Sequence, residues 1–215
     1  MTKAFGQEHQ HQLAIGIEQL GLIVSEQQQL QMLDYLALLL KWNKTHNLTA
    51  VSDPEQMVLL HLLDSLSILP HITGPQVLDV GSGAGLPGVV IAIMRPDIQV
   101  FSIDARNKKI QFQTLAAMQL GLSNFTAIHS RVEDYQSPVA FAQIVSRAFA
   151  SLSDFVELTE HLLAERGLWL AMKGQYPKKE IAELDVSKVR VSDVGELQVP
   201  GLGAQRHLAK ITKMI

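Results

Sequence analysis

The chain has 215 residues, 47% hydrophobic and 18% charged, which suits one well-buried globular domain with a small appendage and excludes a disordered protein. A formal charge of −3 excludes wholesale coating of nucleic acid, although it leaves room for a local basic face. No cysteine is present, which excludes disulfides, thiolate nucleophiles and cysteine-held iron–sulfur clusters. No apolar run reaches the length of a membrane span, the first dozen residues hold no signal-peptide core, and the eight histidines show no convincing metal-ligand spacing. The expectation is a cytoplasmic protein without metal or membrane partner.

Residues 12–70 read as helical throughout. Leu13, Ile17 and Leu20 mark a first amphipathic piece that stops at Gly21. Ser25 and Gln28 form a capping box for a second helix, whose stripe of Leu30, Leu33, Ala37 and Leu40 is widened by Leu36 and Leu39. Lys41-Trp42-Asn43-Lys44 and Asn47-Leu48-Thr49 form a connecting loop. Asp53-Pro54-Glu55-Gln56 then opens a helix that meets Pro70. On it, His61 and Asp64 are three residues apart on one face; they read as a mutually satisfied pair at a helix–sheet junction, or as a pair that shapes a substrate mouth.

The most informative stretch follows. Val77 to Val80 is apolar apart from Asp79 and shows no regular polar alternation, as in a parallel strand buried on both faces. Gly81, Gly83 and Gly85 bare the backbone where it must turn, and the helix from Val89 to Met94 aims its positive end over them. A second strand, Val100 to Asp104, ends in a carboxylate placed to accept both hydroxyls of an adenosine ribose. Strand, glycine turn, helix and strand-end acid together read as a nucleotide-binding βαβ unit. A dinucleotide site wants G-x-G-x-x-G, whereas Gly81-x-Gly83-x-Gly85 brings the third glycine one residue early and resembles the first motif of class I S-adenosylmethionine-dependent methyltransferases.

Arg106 to Leu120 reads as a helix with Ile110, Phe112, Leu115 and Ala116 inward, and with Arg106, Lys108 and Lys109 in its first turn as solvated surface or phosphate contacts. Asn124 to Ile128 is a third strand, followed by the polar loop Ser130-Arg131-Val132-Glu133-Asp134 at the end where open α/β sheets bind ligands. Ala142 to Phe149 is a fourth strand, Ser151 and Asp154 cap a helix reaching Leu163, and Gly167 to Met172 is a fifth strand ending at Lys173-Gly174. A short helix over Lys178 to Leu184 and a terminal pair of strands complete the chain. This gives an α/β, Rossmann-like class: a seven-stranded, mostly parallel sheet over residues 73–215, with a helical extension over residues 1–72.

These residues resemble one family closely, the bacterial 16S ribosomal RNA guanine-N7 methyltransferases, also called the glucose-inhibited division protein B family. The resemblance covers residues 25–212 and rests on Trp42-Asn43-Lys44 with Asn47-Leu48-Thr49, His61-x-x-Asp64-Ser65, Asp79 to Gly88, Ser130 to Glu133, Ser146-Arg147-Ala148-Phe149-Ala150, and Lys173-Gly174 with Arg206-His207-Leu208. It implies methyl transfer from S-adenosylmethionine to 16S ribosomal RNA of the small subunit. It also implies that Gly81 and Leu86 line the cofactor, that Val132 and Glu133 approach the adenine, and that Arg147 closes the site against either the cofactor's carboxylate or the RNA. With Gly83, Gly85 and Asp104 these make the expected cofactor set.

Guanine N7 carries a lone pair and no proton, so no general base is needed and no residue is singled out as catalytic. A cation beside the base would oppose the charge that develops there, so Arg131, Lys173 and Arg206 are expected at phosphates. The competing readings are an NAD-dependent oxidoreductase, a non-catalytic ribosome-binding module, and a methyltransferase of the same fold acting on an exocyclic amine. The expected assembly state is a monomer.

Overall fold

The computed structural model describes residues 4–147 and 149–214. Ala148, which the sequence places in the fourth strand, and residues 1–3 of the Gln-rich N-terminus lie outside the described residues, as does residue 215.

Seven strands form one sheet: β1 (Gln76–Val80), β2 (Gln99–Asp104), β3 (Phe125–His129), β4 (Phe141–Ser146), β5 (Leu163–Lys173), β6 (Val189–Glu196) and β7 (His207–Lys213). Their order is β3-β2-β1-β4-β5-β7-β6. The first five are parallel, and β7 runs antiparallel to both of its neighbours. The chain winds outward from β1 through β2 to β3 and then returns to place β4 on the other side of β1. The carboxyl ends of β1 and β4 therefore flank a topological switch point, where such sheets form a crevice.

Alternate strand residues face opposite sides, so the central strands feed two cores. Val77, Val145, Leu170 and Met172 belong to one apolar cluster, and Leu78, Val80, Ile144 and Trp169 to the other. The first cluster lies under α1 (Gln7–Gln19), α2 (Glu26–His46), α3 (Pro54–Met57), α4 (Asp64–Leu66), α5 (Gly88–Met94) and α6 (Asn107–Leu120). The second lies under α7 (Leu152–Thr159) and α8 (Lys178–Ala182). Between α3 and α4 the helix continues as a π-helical stretch, Val58–Leu63.

The expected caps are present. Ser25 Oγ accepts the Gln28 N–H at 3.2 Å while Gln28 Oε1 accepts the Ser25 N–H at 3.0 Å, and Asp53 and Ser151 cap α3 and α7 in the same sense. Several boundaries differ from expectation. Helix α1 already begins at Gln7, because Gly6 donates its N–H to His9 Nδ1 and Phe5 packs edge-on against the His9 ring. The buried stripe of α2 is Met32, Leu33, Tyr35, Leu36 and Leu39; Leu30 is exposed at its rim, because the helix faces both α1 and the glycine turn. In α6, Gln113 and Leu120 are buried with Ile110, Phe112 and Ala116, whereas Leu115 is only partly covered. Strand β5 starts at Leu163, before the expected Gly167, because Leu163 pairs with Phe141 and its carbonyl takes the Lys213 ammonium at 2.9 Å.

The helical extension is tied to the sheet layer by polar contacts as well as apolar ones. Gln28 Nε2 donates to the Ile93 carbonyl and Gln31 Nε2 to the Leu120 carbonyl, each at 3.0 Å.

Candidate functional site

The glycine turn after β1 is held from four directions. Gly81, Gly83 and Gly85 adopt φ of +68°, +61° and +95°, a region that side chains disfavour. The Gly81 N–H donates to the Ile103 carbonyl at 3.0 Å, bracing the turn on β2. Asp104 Oδ2 accepts the Gly83 N–H at 3.0 Å, and its Oδ1 accepts the Arg106 N–H at 2.8 Å. Lys109 Nζ stands 3.7 Å from the same carboxylate. On the carbonyl side, Tyr35 donates its hydroxyl to Ala84 O at 2.8 Å, and Gln113 Nε2 donates to Gly83 O at 2.8 Å and Ser82 Oγ at 2.9 Å. Beneath the turn, Asp79 Oδ2 accepts the Gly88 N–H at 2.8 Å; a Cβ on Gly88 would stand 2.8 Å from that oxygen, so only glycine fits.

Two of these groups have displaced ionisations. Burial pushes the Tyr35 phenol well above its usual range, which keeps it a hydrogen-bond donor. Burial also raises the Asp79 carboxyl to about 7, against the opposing pull of the Gly88 N–H and the Arg147 charge. Tyr35, Asp79 and Gln113 carried no sequence signal for this role: Tyr35 and Gln113 sit inside helical patterns, and Asp79 inside an apolar strand.

Over the turn opens a cavity of about 230 Å³ lined by Gly81, Asp104, Ala105, Ser130, Val132 and Glu133, with Ile103, Phe149 and Leu158 as apolar walls. A Cβ placed on Gly81 would meet no heavy atom within 4 Å, so the turn leaves room for a ligand there. Apolar walls suit a purine face, the carboxylate suits a ribose diol, and the bare backbone suits close approach, so these residues fit the adenosyl part of S-adenosylmethionine. The carboxylate's two backbone donors occupy about half of its roughly four lone-pair sites, which leaves acceptors for hydroxyls.

The expected cofactor set divides. Gly81, Asp104, Val132 and Glu133 meet in this cavity. Gly83 and Gly85 shape the turn, and Leu86 is buried in the core beneath it. Arg147 is placed elsewhere, in a second cavity of about 380 Å³ at the carboxyl ends of β4 and β5, with His61, Asp64, Lys173 and Arg206.

In that second cavity His61 and Asp64 do not pair with each other, contrary to expectation. His61 Nε2 lies 3.0 Å from Thr49 Oγ1, while Asp64 binds Arg147 Nη1 through Oδ2 at 3.2 Å and Arg206 Nε through Oδ1 at 2.9 Å. The π-helical stretch carries His61 and delivers the chain to Asp64. Burial and the Arg147 charge push the His61 imidazole down to about 4, so it stays neutral. Asn43 organises the neighbouring loop by accepting the Leu48 and Thr49 N–H groups at 2.7 and 2.9 Å.

The three expected phosphate contacts differ in availability. The Arg131 side chain is 70% exposed, with Nη1 at 3.0 Å from Glu133 Oε1. Arg206 is partly exposed at the second cavity. Lys173 is the correction: its ammonium lies 2.7 Å from Glu180 Oε2 and 3.1 Å from the Phe149 carbonyl, with the side chain 11% exposed, so it braces the loop after β4 from inside.

The sheet order, the glycine turn and the strand-end acid define the class I S-adenosylmethionine-dependent methyltransferase fold. A TehB-like S-adenosylmethionine-dependent methyltransferase from Corynebacterium glutamicum superposes with a TM-score of 0.55 at 16% identity, covering 71% of this chain and 88% of that one. Within that fold the chain belongs to the GidB family, whose model, described as rRNA small subunit methyltransferase G, matches residues 28–209. Curated relatives named ribosomal RNA small subunit methyltransferase G include one from Methylobacillus flagellatus, 53% identical over 93% of this chain and 96% of its own length. Another, from Chromobacterium violaceum, is 50% identical over 94% and 97%.

Proposed function

We propose that the protein transfers the methyl group of S-adenosylmethionine to N7 of a guanine in 16S ribosomal RNA, acting as a monomer on the small subunit or its RNA. The observation that carries this reading is the cavity over Gly81 and Asp104, with its apolar walls and strand-end carboxylate, sharing one sheet edge with an arginine-lined cavity, in a chain of the rRNA small subunit methyltransferase G family. Residues 1–72 serve as an extension that completes the site, supplying Tyr35 to the glycine turn and Asp64 to the second cavity. Labelled methyl transfer to small subunits from cells lacking the protein, followed by mapping of the modified base, tests it. Label absent from guanine N7 would refute the assignment.

S-adenosylmethionine supplies an electrophilic methyl on a positively charged sulfur. The residues here would bind and orient: Asp104 would take the ribose, the Val132–Glu133 backbone the adenine edge, and the bare turn at Gly81 would let the cofactor lie close against the backbone. Guanine N7 has its lone pair ready, so the protein's contribution is in-line positioning rather than proton transfer. A neutral His61 suits a site where positive charge arrives on the base.

Two expected results follow from this assignment. Asp104→Ala weakens cofactor binding by about 1 to 3 kcal/mol, the range for a lost hydrogen bond to a charged group. It also destabilises the fold, because the Gly83 and Arg106 N–H groups lose their acceptor. Calorimetry with S-adenosylhomocysteine and a thermal melt read the two effects separately; an unchanged dissociation constant would place the ribose elsewhere.

Arg131→Ala weakens RNA binding and lowers the slope of log affinity against log salt by about one. Arg166→Ala, exposed near the opposite end of β5, is the comparison. Equal losses in the two variants would contradict a footprint on the carboxyl edge.

A further inference from the structure

Positive charge is segregated along this chain. No acidic residue occurs from Tyr35 to Ser52 or from Ala105 to Val132, and these two segments hold Lys41, Lys44, Arg106, Lys108, Lys109 and Arg131. All 21 acids lie elsewhere, so a chain of formal charge −3 keeps two stretches that are purely basic.

The fold joins the two stretches at one corner. Gln31 of α2 donates to the Leu120 carbonyl at the far end of α6, so the two helices run antiparallel and the last turn of α2 meets the first turn of α6. There Lys108 donates its ammonium to the His46 carbonyl at 2.8 Å. The Trp42 ring lies 4.9 Å from that of His46 and 5.9 Å from that of Phe112, which fixes the corner. We propose that this corner, presenting Lys44, Arg106 and Lys108 with Lys41 beside them, is a docking surface for the sugar–phosphate backbone of the substrate RNA. It carries the footprint begun at Arg131 away from the sheet edge and onto the helical extension. The assignment rests on the RNA methyltransferase reading and deepens it.

Availability separates these four cations from their neighbours. Lys109 stands by Asp104 and Arg131 by Glu133, whereas Lys41, Lys44, Arg106 and Lys108 are exposed and form no ion pair among the described residues. Nor does helix stability account for them. Arg106 is the N-cap of α6 and Lys108 follows in a first turn without an acid, where the helix dipole disfavours cations. Lys41 and Lys44 share a face of α2 by their spacing, and Lys41 lines a groove against Gln119 and Leu120 of α6. Asp34, in the same groove, closes the basic run.

The surface is continuous with the site. Ala105 and Arg131 both line the adenosine cavity, Arg106 follows Ala105, and His129 Nε2 lies 3.1 Å from the Ala105 carbonyl. A strand whose acceptor base reaches the cofactor therefore meets Arg106 at the cavity's border and Lys108 and Lys44 beyond it. Solvated lysines and arginines of this kind bind phosphates by releasing counterions, and they position RNA without reading its sequence. Holding phosphates outside the cavity also keeps these cations from the base, where positive charge develops in methyl transfer.

The test compares wild type, Lys44→Gln/Arg106→Gln/Lys108→Gln and Arg166→Gln/Lys188→Gln/Arg190→Gln. The second triple removes the same charge from exposed positions at the amino edge of the parallel strands. Binding to small subunits from cells lacking the protein is measured over a salt series, with S-adenosylhomocysteine affinity alongside. Loss of the corner is expected to lower the slope of log affinity against log salt by about two, at roughly 0.7 to 0.9 for each lost phosphate. With affinities converging near about 1 M salt, that is about a hundredfold weaker binding at about 0.1 M. The acceptor KM should rise with it, while kcat and cofactor affinity change by less than about threefold. Equal losses in the two triples, or none in the first, would overturn the proposal.

A second arm removes no charge and covers the case in which the first triple fails to fold. The chain has no cysteine, so Asn107→Cys places a single thiol on the exposed first turn of α6, and Glu165→Cys one at the opposite edge. Each is loaded with an aryl azide and irradiated on the small subunit. Cross-links to 16S ribosomal RNA are expected from position 107 and not from 165; cross-links from 107 to ribosomal protein alone would overturn the RNA surface. Failure of the wild-type protein to bind either small subunits or free 16S ribosomal RNA, with S-adenosylhomocysteine binding intact, would refute the RNA reading itself and this surface with it.

Discussion

Gly81→Ala is expected to fold and to bind S-adenosylmethionine about ten- to hundredfold more weakly. Gly81 sits at φ +68°, where a Cβ costs roughly 1 to 2 kcal/mol. That cost should appear as a lowered melting temperature, but not as collapse, since no heavy atom lies within 4 Å of the position the new methyl would take. The methyl instead occupies the space over the turn, in the cavity also lined by Asp104 and Val132. Forcing an extra carbon into a filled site costs roughly 1 to 3 kcal/mol, or about five- to 150-fold in affinity. Gly85→Ala makes the opposite comparison: its Cβ would stand 2.8 Å from Val89 Cγ2 and 3.2 Å from Gln113 Cγ, so the main loss should be stability. Calorimetry and melting of both variants distinguish the roles. Wild-type affinity in folded Gly81→Ala would move the cofactor away from this turn.

Why Gly81 could be read in the sequence and Asp64 could not is a question of range. The strand, glycine turn, helix and acid from Val77 to Asp104 interact mainly within their own stretch, so local rules locate Gly81 and Asp104, and the cavity gathers both. The same holds for Ser25, Asp53 and Ser151, whose capping bonds reach three residues. Asp64 answers to Arg147 and Arg206, partners 83 and 142 residues away. Helical spacing offered it His61 instead, and the π-helical stretch and the return of β7 decided otherwise. Tyr35 was equally hidden, since a tyrosine on an apolar stripe looks like packing until Ala84 O, 49 residues on, receives its hydroxyl. Lys173 was placed correctly at the sheet edge, but its direction depended on Glu180 across the following loop. The identity of the chain came from combined motifs, whereas the division of the site into two cavities needed the tertiary contacts.

Stability is expected to fall by about 4 kcal/mol through Asp79 as the pH rises from about 4 to about 7. Asp79 is fully buried beneath the glycine turn, and burial raises its carboxyl from 3.8 to about 7 in the folded protein. Between those values the folded state keeps a proton that the unfolded state has released, so the free energy of unfolding declines with pH. The contribution is present in full below the unfolded value and is lost as pH rises through the folded one. Three pH units at roughly 1.4 kcal/mol each give the stated size, a large share of the 5 to 15 kcal/mol typical of a domain. Exposed carboxylates such as Asp97 and Glu133, lowered chiefly by hydrogen bonding, contribute in the opposite direction at more acidic pH. Asp79→Asn isolates the buried group: its amide oxygen can still accept the Gly88 N–H, and it stays neutral throughout. Urea unfolding from pH 4.5 to 8 should show a difference between wild type and variant that changes steadily up to about pH 7 and then levels. A flat difference would mean that Asp79 ionises outside this window. Because Asp79 anchors the first N–H of α5 under Gly81 to Gly85, the glycine turn stands on a carboxyl that burial raises to about 7.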